Sequence, residues 1–347
     1  MTDIQQALAK VVEHENLSEH EMVQVMEQIM SGNATDAQIG GFLIALRMKG
    51  ETVDEITGAV RVMRKLATHV SIEDEHLIDT CGTGGDGANL FNVSTAAAFV
   101  VAAAGGSVAK HGNRGASSNS GSADVLEAAG VEISLTGEQV ERCIKHIGVG
   151  FMFAQTHHGA MKHAIGPRKE MKTRTLFNML GPMTNPAGTK KQVIGVFSEQ
   201  VMDIMAGVLN KLGSSHVILV HSEDHLDEMT ISGKSYITEV HHGDIKKYQL
   251  SPEDFGLKLQ SLDGLQVTDA NSSLALIQGA FSNSDGEIFD KARNIIALNS
   301  ALAIYAADLS SDLNSAFDLA QDILATGQAA NKLQELIDFS NSFDLGK

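Results

Sequence analysis

Asp79-Thr80-Cys81-Gly82-Thr83-Gly84-Gly85-Asp86-Gly87 sets how the rest of the chain is read. It follows the apolar run Leu77–Cys81 and precedes the alanine-rich stretch Thr95–Ala104, so it joins a strand to a helix. Glycines so closely spaced let the backbone approach a ligand and aim several N–H groups at it. Gly82, Gly84 and Gly87 formally satisfy the dinucleotide pattern G-x-G-x-x-G. Such a site wants an acidic residue at the end of the next strand to hold a ribose hydroxyl. Here the next strand, Ser107–Lys110, delivers Lys110 and His111, which suit phosphate. Asp86 would also repel a pyrophosphate unless a metal or a hydroxyl lay between them. A dinucleotide is therefore the poorer reading of this loop.

Moving outward, Asn92-Val93-Ser94-Thr95 comes just before the alanine-rich helix. Ser94 and Thr95 occupy its cap and first turn, where free N–H groups and the helix dipole favour an anion. Ordinary capping accounts for one of those hydroxyls but not for the cluster. The second strand runs into Lys110-His111-Gly112-Asn113-Arg114-Gly115-Ala116-Ser117-Ser118-Asn119-Ser120-Gly121-Ser122. This stretch is rich in donors, too polar for a core, and ends where the helix Ala123–Ala129 begins. Two consecutive strand–loop–helix units thus present anion-binding loops at one sheet edge, and a single ligand with several phosphates explains both. There is no Walker A sequence, which argues against P-loop chemistry. Nor is there the paired-acid loop after a hydrophobic strand that marks ordinary nucleotide-synthesising phosphoribosyltransferases.

Beyond the strand His216–His221 lies Ser222-Glu223-Asp224-His225-Leu226-Asp227-Glu228. Alone it would read as a solvated acidic turn. Beside phosphate loops, adjacent carboxylates at a strand end suit magnesium. His221 and His225 have a spacing loosely like a zinc motif but lack its helix. His157 and His158 read as loop or site-lining residues, not ligands. Arg168 follows Gly166-Pro167, and Gly181-Pro182 comes shortly after; both pairs read as turns fixing loops, where an arginine could grip a carboxylate.

The first 70 or so residues read as four amphipathic helices. Ser18 to Glu21 and Thr52 to Glu55 are capping boxes, Thr35 is a cap, and Gly32 and Gly50 are stops. From about Glu73, strands alternate with helices. The strands expected are Leu77–Cys81, Ser107–Lys110, Val131–Leu135, Phe151–Ala154, Val193–Phe197 and His216–His221, with helices near the end at Ala316–Ala325 and Ala329–Phe339. The fold class expected is α/β: a small N-terminal α-helical domain, residues 1–72, and a large α/β domain, residues 73–347, with a mainly parallel central sheet. A later loop near 165–190 is expected to pack with the helical part. The chain has 347 residues and a net charge of −17, which opposes attraction to nucleic acid. Two cysteines fit a reducing cytosol, and neither a leader peptide nor a spanning segment is apparent, so a cytoplasmic enzyme is expected.

Taken in order, the glycine loop Gly82–Gly87, Asn92–Thr95, Lys110–Arg114, Ser118–Ser122, Arg168, Gly181–Pro186 and Asp227-Glu228 closely resemble the anthranilate phosphoribosyltransferases of tryptophan biosynthesis, over essentially the whole chain. The resemblance implies a homodimer built like pyrimidine nucleoside phosphorylases. It implies 5-phosphoribosyl 1-pyrophosphate and anthranilate as substrates, and magnesium at two ions per subunit. Carried over by position, Gly82, Gly85, Asp86, Asn92, Val93, Ser94, Thr95, Lys110, His111, Gly112, Asn113, Arg114, Gly115, Ala116, Ser117, Ser118 and Ser122 would hold the phosphoribosyl donor. Gly82, Asn113 and Arg168 would contact anthranilate, and Ser94, Asp227 and Glu228 would serve the metal. No residue is expected as nucleophile or general base. Leu90 stands where a hydroxyl is expected near the donor, and His158-Gly159 replaces a His-Pro pair. Rival readings are a nucleoside phosphorylase, a nucleic-acid-binding relative of the same fold, or a dehydrogenase.

Overall fold

The computed structural model describes residues 2–115 and 118–343. Four helices open it: α1 (Ile4–Val12), α2 (Glu19–Met30), α3 (Asp36–Lys49) and α4 (Val53–Leu66). Each starts at a reciprocal capping box, pairing Asp3 with Gln6, Ser18 with Glu21, Thr35 with Gln38 and Thr52 with Glu55. Glu55 does more than cap. Its fully buried carboxylate also receives the Leu17 amide at 2.9 Å and the Lys49 ammonium at 3.0 Å, tying the α1–α2 connection and α3 to α4. Helices α2 and α4 cross so closely at Gly58 that a Cβ there would lie 2.6 Å from the Glu19 carbonyl oxygen.

The remaining elements are β1 (Leu77–Gly82), α5 (Val93–Ala103), β2 (Ser107–Gly112), α6 (Ser122–Ala128), α7 (Gly137–Ile147), β3 (Val149–Phe153), α8 (Ala154–His157), α9 (Lys162–Met171), α10 (Phe177–Met183), β4 (Lys191–Gly195), α11 (Glu199–Lys211), β5 (His216–Ser222), β6 (Ser235–His241), β7 (Asp244–Leu250), α12 (Ala270–Phe281), α13 (Glu287–Ala306), α14 (Leu313–Ala325) and α15 (Gln328–Asn341). Among the described residues the strands form one seven-stranded sheet in the order β3-β2-β1-β4-β5-β6-β7. The pairs from β3 through β5 are parallel, and β6 and β7 add antiparallel. The order reverses between β1 and β4, so the loops leaving their carboxyl ends open a crevice there.

Apolar residues of α5 and α13, such as Val100 and Leu298, pack on one face of the sheet with α12, α14 and α15 around them. The other face is covered by α10, α11 and the opening helices. Phe42, Ile56, Leu180 and Met205 belong to one apolar cluster with Ile194 and Leu219 of the sheet, so the helical part shares its core with the α/β part. Helix α9 packs on α2 and α3, and α10 on α4. Two chain crossings join the parts side by side: Thr68 N–H donates to His157 O at 2.8 Å, and Val70 N–H to Pro186 O at 3.2 Å.

Three sequence expectations change here. Val131–Leu135 is not a strand. Its alternation is real, with Val131, Ile133 and Leu135 buried, but the Glu132 amide is taken by the Ser340 hydroxyl of α15 rather than by a neighbouring strand. The glycine–proline pairs are not loop turns: Pro167 lies inside α9 and Pro182 inside α10. Both prolines are buried, so packing offsets the helical bond that each ring forfeits. The β6–β7 hairpin was not anticipated, because β7 is an edge strand with little apolar alternation. Its turn is His242-Gly243, both at positive φ, the geometry of the tight turns that suit strand twist.

Candidate active site

The crevice is floored by β1 and β4 and walled by the loops that follow β1, β2 and β5. The acidic wall is built by the loop after β5. Asp224 is its organiser: its carboxylate accepts from the hydroxyls of Ser222 and Thr230, each at 2.6 Å, and from the Ser232 hydroxyl. Downstream, the Asn299 side chain of α13 brackets Met229, accepting from its amide at 2.8 Å and donating to its carbonyl at 2.9 Å. Between these anchors, Asp227 and Glu228 are turned onto the two phosphate-loop elements. Asp227 Oδ2 accepts from the Gly84 amide at 2.8 Å, and Glu228 Oε1 from the Ser94 amide at 3.2 Å. The approach demands glycine. A Cβ on Gly82 would lie 2.6 Å from Asp227 Oδ2, and one on Gly195 would lie 1.6 Å from the Asp227 carbonyl oxygen.

Asp86 of the glycine loop reaches the same place. Loss of hydration, then repulsion from Asp86, pushes the Asp227 carboxyl up. Loss of hydration and the neighbouring Asp227 charge push Glu228 well up too. Three carboxylates against one inward lysine form an oxygen-only set that is short of positive charge, which fits a hard divalent cation such as magnesium. The Thr95 hydroxyl, buried in the first turn of α5, has no hydrogen-bond partner within the described residues. That orphan stands at the positive end of the helix dipole, a place that suits an anion.

Lys110 sits deeper than the sequence suggested. Its buried ammonium donates to Thr80 O at 2.5 Å, beneath the loop and beside Asp79. Desolvation lowers its pKa, while the Asp79 and Glu228 charges hold it up. Asp79 is itself buried, accepts from the His111 amide at 3.1 Å, and is raised by desolvation. Asn92 is held in place: its carbonyl oxygen accepts from Ser120 and Ser273, and its amide donates to Ser120 O. Val93 is buried in the core behind it.

The loop after β2 is wound tightly. Gly112 and Gly121 leave no room for a Cβ, which would meet Ser122 Oγ at 1.9 Å and Asn113 O at 2.4 Å respectively. Asp124 of α6 accepts from the amides of Gly115 and Gly121. Arg114 turns onto the same helix, bonding Asp124 at 3.0 Å and Glu127 at 2.7 Å, so its charge is committed there. Ser118 donates to Ser120 O, and Ser122 Oγ lies 3.5 Å from Asn113 O. Ala116 and Ser117 lie outside the described residues.

On the helical side, the Arg168 guanidinium stacks over Phe177 at 5.1 Å and pairs with no carboxylate within the described residues. Burial lowers its pKa, leaving it a poorly solvated cation ready for an anion. His111 and His158 pack with ring centroids 5.0 Å apart, and each keeps a buried Nε2 without a partner. Burial drives His111 well below the usual histidine range and His158 down to about 4, so both are neutral at pH 7. His157 is turned away, its Nδ1 3.0 Å from Thr68 O at the chain crossing. Leu90 packs on the main core and bridges Gln266.

Arg174 is a residue that the sequence reading did not single out. It crosses the crevice, donates to the Gly85 carbonyl and stacks over Phe197 at 4.2 Å. Thr83 pins the same loop to β4, donating its amide to Gly195 O at 2.8 Å and accepting from the Phe197 amide at 3.0 Å. Nothing in the spacing of Arg174 separates it from its basic neighbours.

Comparisons bear on this geometry. The helical bundle domain of a glycosyl transferase family matches residues 5–67, and that family's a/b domain matches residues 74–330. The anthranilate phosphoribosyltransferase of Saccharophagus degradans is 60% identical over 338 residues, covering 97% of this chain and 99% of that protein. That of Teredinibacter turnerae is 59% identical, covering 98% and 99%. The crystal structure of the Thermus thermophilus enzyme matches at a TM-score of 0.91 and 38% identity, covering 97% of this chain and 99% of its own. A Saccharomyces cerevisiae enzyme solved with PRPP and Mg has the same fold, at a TM-score of 0.89 and 23% identity over 98% of both chains. With full-length identity this high, and with a crevice whose loops carry the ordered motifs, the chain belongs to the anthranilate phosphoribosyltransferase family.

Proposed function

We propose that the chain transfers the phosphoribosyl group of 5-phosphoribosyl 1-pyrophosphate to the amine of anthranilate, giving N-(5-phosphoribosyl)anthranilate and pyrophosphate. The observation that carries this reading is the convergence of Asp86, Asp227 and Glu228 on a glycine loop and on the N-terminus of α5. A free-phosphate phosphorolysis would have no use for that acidic wall.

In this reading Gly82, Gly85 and Thr95, with residues of the loop after β2, cradle the phosphates. Lys110 balances Asp79 and Glu228 from below. Ser94, Asp227 and Glu228 would hold magnesium, two ions per subunit, which would supply positive charge to neutralise the departing pyrophosphate. Arg168 takes the anthranilate carboxylate, and Gly82 and Asn113 border its ring. The uncharged rings of His111 and His158 form a wall that a planar acceptor can lie against. The arylamine lone pair attacks ribose C1 from the face opposite the leaving group; the C1–O bond breaks, and the amine proton is lost to water. That amine is neutral at pH 7, so positioning and charge stabilisation suffice without a side-chain nucleophile.

The reading includes a two-domain division near residue 72 and a cytoplasmic homodimer. Two things agree with these: exposed Val12 and Met48 on the helical part, and the lack of any helix long and apolar enough to cross a membrane within the described residues. The test is the fall in anthranilate fluorescence with enzyme and donor, with and without magnesium. Loss that needs both donor and magnesium supports the assignment, and no loss from folded protein refutes it. Light scattering of the same sample reads the subunit number.

A further inference from the structure

At the opposite end of the sheet from the crevice, histidine and carboxylate side chains collect on one face. His216 opens β5 and His241 closes β6; the two residues are cross-strand partners, with ring centroids 4.3 Å apart. Asp308, just past the end of α13, joins them. One ligand atom from each of the three lies within 4.8 Å of the other two.

The hydrogen bonding around His216 leaves a gap of definite polarity. Its Nε2 lies 2.9 Å from Glu239 Oε1, so in the neutral ring that nitrogen carries the proton. Its Nδ1 then presents a lone pair to Asp308 Oδ1 only 3.4 Å away. Two acceptors face each other with no hydrogen between them. Lys191 does not fill the gap, because its ammonium holds the other carboxylate oxygen, Oδ2, at 2.5 Å and so aims Oδ1 at the rings. Tyr305 stands edge-on to His216 at 4.9 Å and helps fix its plane.

We propose that His216 Nδ1, a ring nitrogen of His241 and Asp308 Oδ1 bind a first-row divalent transition ion of the zinc type. Two imidazoles and one carboxylate suit zinc or cobalt and are a poor set for magnesium, which takes oxygen ligands. Glu239 on the far nitrogen of His216 is the carboxylate partner that such sites use to orient a ligand ring and raise its basicity. A groove of about 410 Å³, bordered by Tyr305, Leu309 and Ser310 as well as the three ligands, gives ion and water a way in. The ion would clamp β5, β6 and the end of α13, far from the acidic wall, so its effect falls on stability and not on turnover.

The test uses the full-length protein with magnesium in excess. Cobalt is titrated and followed by its visible absorption, zinc content is measured after gel filtration, and the melting temperature is read with and without zinc. The expected result is one transition ion per chain, a raised melting temperature, and loss of both in His241→Ala and Asp308→Asn. Both positions are solvent-accessible, and both variants should keep magnesium-dependent turnover. Glu239→Gln should weaken affinity by roughly 10–100-fold. His225→Ala, near the acidic wall, should bind as the parent does. The proposal is overturned if the parent takes up no transition ion at micromolar concentration, which would leave a proton on His216 to fill the gap. It is overturned equally if the His241 and Asp308 variants bind zinc as tightly as the parent does.

Discussion

Asp227→Asn should make the magnesium-free protein more stable at pH 8 while removing its turnover. The substitution keeps the shape of the side chain, and its amide oxygen can still accept from the Gly84 amide, so the change is chiefly one of charge. Burial and the Asp86 charge push the Asp227 carboxyl from 3.8 up to about 7. A raised carboxyl pKa means that the folded state holds the proton more tightly than the unfolded chain does. Below about pH 4 both states are protonated and the residue is neutral for stability. As pH rises toward 7 the unfolded chain ionises first, so the folded state loses ground. The whole rise would correspond to at most ~4 kcal/mol at 1.36 kcal/mol per unit. Glu228 shares the titration and the cleft is partly open to water, so about 1–2 kcal/mol is the reasonable size.

In a chain of this length that is a rise of about 1.5–3 °C in melting temperature at pH 8, shrinking to roughly a third of that at pH 5. Differential scanning fluorimetry of both proteins, in chelator, at pH 5 and pH 8, reads it directly. Magnesium should raise the melting temperature of the parent more than that of the variant. A variant that melts below the parent at pH 8, or whose gain is the same at both pH values, would refute the crowded-carboxylate account of the crevice.

Gly195→Ala would put a methyl 1.6 Å from the Asp227 carbonyl oxygen, so the acidic pair must shift; steady-state assays should show kcat down by about 100-fold with circular dichroism unchanged. Arg168→Ala should raise the KM for anthranilate by roughly 10–100-fold, the worth of a charge-assisted pair, and leave the donor KM nearly alone. Equal effects on both substrates would remove Arg168 from the acceptor site. Lys49→Met strands the fully buried Glu55 carboxylate without its cation, which should cost about 3 kcal/mol and lower the melting temperature by roughly 4 °C. Unchanged melting would mean that the Leu17 and Thr52 amides satisfy Glu55 alone.

What could be read from the sequence was what depends on near neighbours. A capping box is a four-residue signal, so the starts of α2, α3 and α4 were legible. The glycine loop lies between a strand and a helix that each declare themselves within a few residues. The direction of a long side chain does not declare itself. Arg114 reads as a phosphate cation until Asp124 and Glu127 prove to lie within its reach on α6. Arg174 meets Gly85 from 89 positions away, and Asn299 brackets Met229 from 70 away. The failed strand at Val131–Leu135 has the same cause. Alternation reports which side chains face the core, while pairing depends on whether another strand is there to accept the amides.

The amides of Gly84 and Ser94 are the groups that a glycine loop and a helix N-terminus would offer to phosphate, yet here they hold Asp227 and Glu228. An anion alone would have to displace two carboxylates and then sit beside them and Asp86. A divalent cation changes that balance, because it draws the carboxylate oxygens toward itself and frees the amides at the same step. Cation and pyrophosphate should therefore bind with strong positive coupling, each raising the affinity of the other by the same factor. Competition for two amides plus relief of like-charge crowding makes that factor about 100-fold or more, or ~3 kcal/mol. Titration calorimetry with pyrophosphate, with and without magnesium, measures it. Magnesium also binds pyrophosphate in solution, so a parallel titration must subtract that complex. The Asp227→Asn variant supplies the contrast: its amide competes less strongly for the Gly84 N–H, so pyrophosphate should bind it measurably without magnesium, and the coupling should fall. If parent and variant show the same coupling, the carboxylates do not gate the phosphate loop.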